Sequence, residues 1–232
     1  MPRLKISLLL LCASGLLGGC ATVATNTSRT FDTVVVDAGH GGKDSGAWRR
    51  KGPPEKAVAL DVALRVHRKL RESQLNTVLT RADDRFIPLD SRVDIGNAQK
   101  NSVFLSIHFN DSRRRWVEGV ETYYYSPYAY DLAQAIERNL SSLPGAVNRG
   151  VHVARFRVLR NAECPSVLVE CGYLSNRNDR QDAANPAYRE QLAEKIAEAI
   201  VEYRYGKGTY RTATVLARNN GGGAPAFLPS LR

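Results

Sequence analysis

Val34-Val35-Val36-Asp37-Ala38-Gly39-His40-Gly41-Gly42 is the stretch from which the rest of the chain is best read. Thr33 to Val36 is a β-branched run suited to a pleated strand, and the glycines that follow make a turn carrying a histidine just beyond the strand end. Downstream, Pro53 and Pro54 open a helix that runs to about Glu72, because proline tolerates the first helical positions. Val58, Val62, Val66 and Leu70 recur every four residues and give that helix one apolar face. Residues 77–80 read as a second strand, 89–100 as a short helix, and 103–107 as a third strand apolar enough to be buried on both sides. Residues 120–125 form a fourth strand, and the helix over 130–143 stops at Pro144-Gly145. Residues 156–159 read as a short strand and 167–169 as a central one. The last helix spans 186–205, with Leu192, Ile196 and Ile200 on one face. This alternation predicts an α/β three-layer sandwich: a mostly parallel, twisted sheet with helices on both faces.

The composition bounds the reading. The chain has 232 residues, 43% of them hydrophobic and 24% charged, which suits one domain with a real core and excludes a wholly disordered chain. Its formal charge of +10 favours anionic partners, but the basic residues are scattered apart from Arg49-Arg50-Lys51 and Arg113-Arg114-Arg115. No nucleic-acid-binding motif accompanies them, so nucleic acid is not an expected partner.

At the N-terminus, Arg3 and Lys5 precede an apolar run from Ile6 to Leu11 and then small residues, the pattern of a secretory leader too short to span a membrane comfortably. Leu17-Gly18-Gly19-Cys20 resembles a bacterial lipobox. That resemblance implies a lipoprotein signal peptide over 1–19, a lipidated Cys20, and export to a cell-envelope membrane through the lipid anchor. Ala21 after the cysteine weakly favours an outer membrane. The alternative is an ordinary secretory signal with an incidental cysteine. Residues 20–30 then read as a tether and 206–232, with Asn219-Asn220-Gly221-Gly222-Gly223, as a flexible tail. Of the four cysteines, Cys164 and Cys171 remain for the folded part. Seven extended residues between them span roughly 23 Å, whereas a disulfide needs Cα atoms about 5.5 Å apart, so they are expected to stay unpaired.

Two of the four histidines, His40 and His108, stand where an apolar strand gives way to a loop. Ligands of open α/β sheets bind beyond the carboxyl ends of the strands, so the two imidazoles are placed to converge there. Two histidines and a carboxylate make a catalytic zinc set with a fourth position free. Glu55, in the first turn of the helix after Pro53-Pro54, reads equally as that carboxylate or as an acid stabilising the helix N-terminus. Glu170, after Val167-Leu168-Val169, reads as a general base or as a solvated strand-end acid. His67, on a helix, and His152, in a loop-like segment, carry no partner motif.

Residues Val35 to Ala47 (VVDAGHGGKDSGA) resemble the opening motif of the zinc-dependent N-acetylmuramoyl-L-alanine amidase family. Glu55-Lys56, Leu79-Thr80-Arg81-Ala82-Asp83-Asp84 with Arg92, Ser106-Ile107-His108-Phe109-Asn110, and Pro165 to Asn176 (PSVLVECGYLSN) resemble its later motifs, in the same order. The resemblance implies a catalytic domain over 31–205 with zinc (Zn2+) held by His40, Glu55 and His108, and Glu170 as the catalytic acid–base. Asp37 and Asn110 are implied supports for the histidines, and Arg81 and Arg92 read as structural. The implied reaction is metal-assisted hydrolysis of the amide between N-acetylmuramic acid and L-alanine in peptidoglycan. A zinc peptidase cutting the stem peptide, and a non-catalytic wall-binding lipoprotein, are the alternatives. Some periplasmic members of the family carry a helical insertion that plugs the site. Residues 125–158 here hold one evident helix and no room for such a plug, so an open site is expected. No wall-targeting domain is legible, and the lipid anchor is expected to supply localisation.

Overall fold

The computed structural model describes residues 29–49 and 52–210. The expected leader, Cys20, most of the tether, and the tail beyond Tyr210 lie outside the described residues. In chain order the elements are β1 (Thr33–Ala38), α1 (Glu55–Glu72), β2 (Asn76–Leu79), α2 (Leu89–Asn97), β3 (Ser102–Asn110), β4 (Val120–Tyr124), α3 (Tyr130–Leu140), β5 (Asn148–Val153), α4 (Arg157–Arg160), β6 (Ser166–Tyr173), α5 (Arg177–Ala184) and α6 (Pro186–Tyr205). The strands form one sheet in the order β2-β1-β3-β6-β4-β5, parallel throughout except where β4 runs against β6. The α/β sandwich is as the alternation of elements predicts.

The two faces of the sheet are covered unequally, and this makes the site. Side chains alternate across a strand. Val34, Val36 and Ala38 of β1, Leu105 and Ile107 of β3, and Val167 and Val169 of β6 face a thick layer of α1, α3 and α6. There Val58, Val62, Val66 and Leu70 are buried as the four-residue spacing requires. Each such apolar side chain removed from water contributes about 1.5–3 kcal/mol. Val35, Phe104 and Leu168 face the other way, onto Val93 of α2 and Val158 and Leu159 of α4. These two short helices cover only the middle of that face. The next outward positions toward the carboxyl ends, Asp37, His108 and Glu170, share the face and lie along an open cleft.

Three local readings differ from the structure. Residues 157–160 are a helical turn, because the chain leaves the sheet at Ala154 and turns Val158 and Leu159 into the small core. The edge place belongs to β5, whose residues are exposed or half-buried and show no apolar alternation. It is held by Glu137 of α3, which accepts from Gly150 N at 3.2 Å and Thr122 Oγ1 at 2.9 Å. Helix α5 was not expected, since only Ala183 in it is buried; Asn176 starts it by accepting from the backbone N–H of Asn178 and Asp179. The packed region also runs past Tyr205: Gly208 N donates to Glu202 at 2.8 Å, and Tyr210 is buried in the main core. Cys164 and Cys171 are unpaired, as expected.

Candidate functional site

His40 follows β1 in the left-handed region, at φ 59°. A two-residue bridge between Gly41 and Asp44 closes its turn. The turn is pinned from below by two buried guanidiniums. Arg81 donates to the carbonyls of Ala38, Gly39 and Lys56, and Arg92 to those of Ala38, His40 and Ile87. Lys56 ties the glycine turn to Asp84, reaching Gly42 O at 2.8 Å and Asp84 Oδ2 at 2.7 Å. Arg81 and Arg92 therefore shape backbone, as their sequence reading held.

Glu55 opens α1 and is buried. Its Oε2 accepts from Ala47 N at 2.8 Å and its Oε1 from Phe109 N at 3.0 Å, so backbone from two loops fixes the carboxylate. Oε1 lies 3.0 Å from His40 Nε2 and 2.9 Å from His108 Nδ1. Ligand atoms of His40, Glu55 and His108 all fall within 4.8 Å of one another, the one such convergent group found among the described residues. Two glycines make the approach possible. A Cβ on Gly39 would sit 2.4 Å from His108 Cε1, and one on Gly46 would sit 2.5 Å from Glu55 Oε2. Burial alone would raise the Glu55 carboxyl, but hydrogen bonds from His108 and His40 outweigh it and hold the pKa far below the usual range. Burial likewise disfavours charge on His40, yet Glu55 and Asp44 outweigh it and raise that pKa.

Glu170 lies opposite His108 in the β3–β6 register, and Glu121 of β4 lies opposite Glu170. The strand continues to Tyr173, so Glu170 is not at its end. Its Oε2 is buried and has no hydrogen-bond partner among the described residues. Burial, then the charges of Glu55 and Glu121, push its pKa well above the usual carboxylate value. His40, Glu55, His108 and Glu170 all line one cleft of about 790 Å³, whose opposite wall is Phe86, Ile87, Leu89 and Phe156.

The supports of the histidines differ from expectation. Asp37 is buried and accepts from Thr80 Oγ1, Arg92 Nη1 and Ser106 Oγ at 2.6–2.7 Å, touching neither imidazole. Asn110 donates to Glu121 at 2.7 Å. The partner of His40 is Asp44, whose Oδ2 lies 2.8 Å from Nδ1. The sequence holds an acid four residues on, but only the fold of the glycine turn brings it to Nδ1. Asp44→Ala is expected to weaken metal affinity roughly 10- to 100-fold, as loss of a carboxylate behind a ligating histidine does; titration against a chelator of known affinity measures it. Of the remaining histidines, His67 pairs with Thr77 at 2.7 Å and His152 lies 3.8 Å from Glu121, and neither lines the cleft.

A mostly parallel sheet that gathers two histidines and a glutamate able to hold a metal ion, beside a buried acid on an open cleft, has the layout of a hydrolytic domain. Within that class the chain belongs to the N-acetylmuramoyl-L-alanine amidase family, whose model matches residues 34–202. It is 37% identical over 176 residues to the N-acetylmuramoyl-L-alanine amidase LytC of Bacillus subtilis, covering 74% of this chain but only 35% of LytC. The chain thus spans about a third of that relative. Among solved structures it is similar to the amidase AmiC2 of Nostoc punctiforme, with TM-score 0.72 and 42% identity over 74% of this chain and 96% of that one. The catalytic domain of CwlV from Paenibacillus polymyxa superposes with TM-score 0.71 at 38% identity, over 75% and 98% of the two chains.

Proposed function

We propose that this protein hydrolyses the amide between N-acetylmuramic acid and L-alanine in peptidoglycan, with zinc held by His40, Glu55 and His108 and with Glu170 as the proton-transferring acid. The observation that carries the reading is the convergence of the first three side chains next to a buried acid without a partner. The donor set fits the metal: Glu55 Oε1 lies 3.0 Å from His40 Nε2 and 2.9 Å from His108 Nδ1, two imidazoles and a carboxylate that would hold zinc and leave room for water at the cleft they line. Bound there, zinc supplies Lewis-acid polarisation of a carbonyl and acidifies water.

The chain's own residues supply the rest. The two backbone N–H groups of Ala47 and Phe109 keep Glu55 from swinging away. Asp44 fixes the ring orientation of His40, which leaves Nε2 directed inward. Glu170, on the neighbouring strand, takes a proton from the attacking water at Oε2 and returns one to the leaving amine of L-alanine. Helix α3 packs its buried Leu132, Ile136 and Leu140 against the sheet, so it is part of the core and does not cover the cleft. Among the described residues no helix covers the cleft, which supports activity without displacement of an internal plug.

Digestion of purified peptidoglycan followed by mass spectrometry tests the reading. The expected products are stem peptides with a free L-alanine amine and glycan strands with intact lactyl groups; peptides cut internally would overturn it. His108→Ala is expected to remove the bound zinc and all turnover together, and a folded, active protein free of divalent metal would exclude a metal-assisted reaction. The motif Leu17-Gly18-Gly19-Cys20 supports export and lipid anchoring at Cys20. Cys20→Ser is expected to shift the protein from membrane to soluble fractions or to leave the leader uncut, and unchanged membrane association would count against it.

A further inference from the structure

The chain has only two tryptophans, and both are out in water: Trp48 is 64% exposed and Trp116 is 71% exposed. Tryptophan is usually well buried, and leaving so much apolar ring in solvent forgoes the stabilisation its burial would give. Both belong to loops that leave the cleft wall and meet beside it. Ala47 and Asp111 line the cleft, Trp48 and Arg49 come next along one loop, and residues 112–116 come next along the other. Arg49 joins the two loops by a forked pair to Asp111, with Nη2 2.6 Å from each carboxylate oxygen.

The backbone of the second loop is tied down by hydrogen bonds. Ser112 N donates to Ser175 Oγ at 2.9 Å, Asn176 Nδ2 donates to Arg115 O at 3.2 Å, and Val117 N closes a turn onto Arg114 O at 3.1 Å. The backbone of the 112–117 loop is thus fixed from the end of β6, while its side chains are left outside. Arg113, Arg114 and Arg115 are exposed and none forms an ion pair among the described residues; Arg114 lies over the Trp116 ring at 5.8 Å. The backbone that carries Trp116 and the three arginines is thus held in place before a ligand arrives, which lowers the ordering cost of binding there.

We propose that Trp48 and Trp116, with Arg113 to Arg115, form a polymer-binding rim that grips the glycan strand next to the sugar presented to the cleft. This rests on the reading that the substrate is peptidoglycan. The apolar C–H face of a pyranose ring matches the electron-rich face of an indole, as in other contacts between positively polarised edges and aromatic faces. The arginines match the carboxylates of neighbouring stem peptides. A cleft of about 790 Å³ accommodates one reacting unit, whereas a polymer must run out over the rim. The rival partner for exposed tryptophan and arginine is an anionic bilayer surface. It is disfavoured here because a membrane seated on this rim would close the mouth of the adjoining cleft.

The test is binding of the full chain to peptide-free glycan strands of alternating N-acetylglucosamine and N-acetylmuramic acid, followed by intrinsic tryptophan fluorescence and by co-sedimentation. Such strands have no scissile amide, so binding is read independently of turnover. Saturable fluorescence change is expected, and W48A and W116A are each expected to weaken binding roughly tenfold. W116F, which keeps an aromatic face, is expected to retain most of the affinity. No fluorescence response, or alanine variants that bind like the wild type, would overturn the rim. So would tryptophan-dependent binding to vesicles of anionic phospholipid with none to glycan. If glycan binds through the tryptophans but peptidoglycan is not cut, the amidase reading fails and the rim stands; cutting without tryptophan-dependent binding gives the reverse.

Discussion

Glu170→Gln is expected to lower turnover on peptidoglycan by at least ~100-fold while the protein keeps its fold and its metal. Glutamine matches glutamate in size but cannot accept a proton at Oε2, the buried atom that has no partner among the described residues. The metal-holding group does not depend on it, because Glu55 is fixed by Ala47 and Phe109 and His40 by Asp44. Stability gives a second reading of the same variant. Burial and the charges of Glu55 and Glu121 disfavour the ionised form of Glu170, so a neutral side chain there removes a cost. In the metal-free protein the variant should therefore melt at or above the wild-type temperature while losing catalysis, the trade expected where a destabilised group serves a reaction. Near-normal turnover would remove Glu170 from the chemistry. A collapsed melting temperature or lost metal would make it a structural residue instead.

How much of this was legible in the sequence depended on burial. β1, β3 and the start of β6 are apolar runs because both faces of the central sheet are covered, and such runs announce themselves. β5 sits at the edge with exposed residues, α5 buries one alanine, and α4 is a single turn. None has a stretch long enough or apolar enough to show a period. At the site, His40 could be placed from its strand end, whereas His108 lies inside β3, which continues to Asn110, and reaches the site because its side chain faces the cleft. Glu55 needed the family motif to separate it from an acid stabilising the helix N-terminus. The pairing of His40 with Asp44 was not legible. It depends on His40 adopting a positive φ and on the Gly41–Asp44 bridge, which fold an acid four residues away back onto Nδ1. Asp37, near the end of β1, was one of the two supports read for the histidines. Its side chain points instead into the protein, where three donors already satisfy it.

Arg92→Leu is expected to cost about 3–5 kcal/mol of stability, the usual penalty for leaving one member of a buried ion pair without its partner. Arg92 and Asp37 are 2% and 1% exposed, and their closest atoms are 2.7 Å apart. Without the guanidinium, Asp37 keeps the hydroxyls of Thr80 and Ser106 but loses its ion-pair partner, with Arg81 left as a counter-charge that makes no salt bridge to it. For a domain of this size the loss corresponds to a fall in melting temperature of roughly 6–20 °C. Stability is not the whole effect, because Arg92 also donates to the carbonyls of Ala38 and His40 and so holds the turn that aims His40 at Glu55. Metal affinity should fall along with stability. Arg92→Lys separates the two roles: an ammonium can still face Asp37 but cannot fork across to the His40 carbonyl. It should recover much of the lost melting temperature and little of the lost metal affinity. Adding Asp37→Asn to Arg92→Leu removes the stranded charge and should restore stability in part, again without restoring affinity. If Arg92→Leu melts with the wild type, the buried pair is not holding the fold. If Arg92→Lys binds zinc as tightly as the wild type, the turn that presents His40 is held by Arg81 and the Gly41–Asp44 bridge alone.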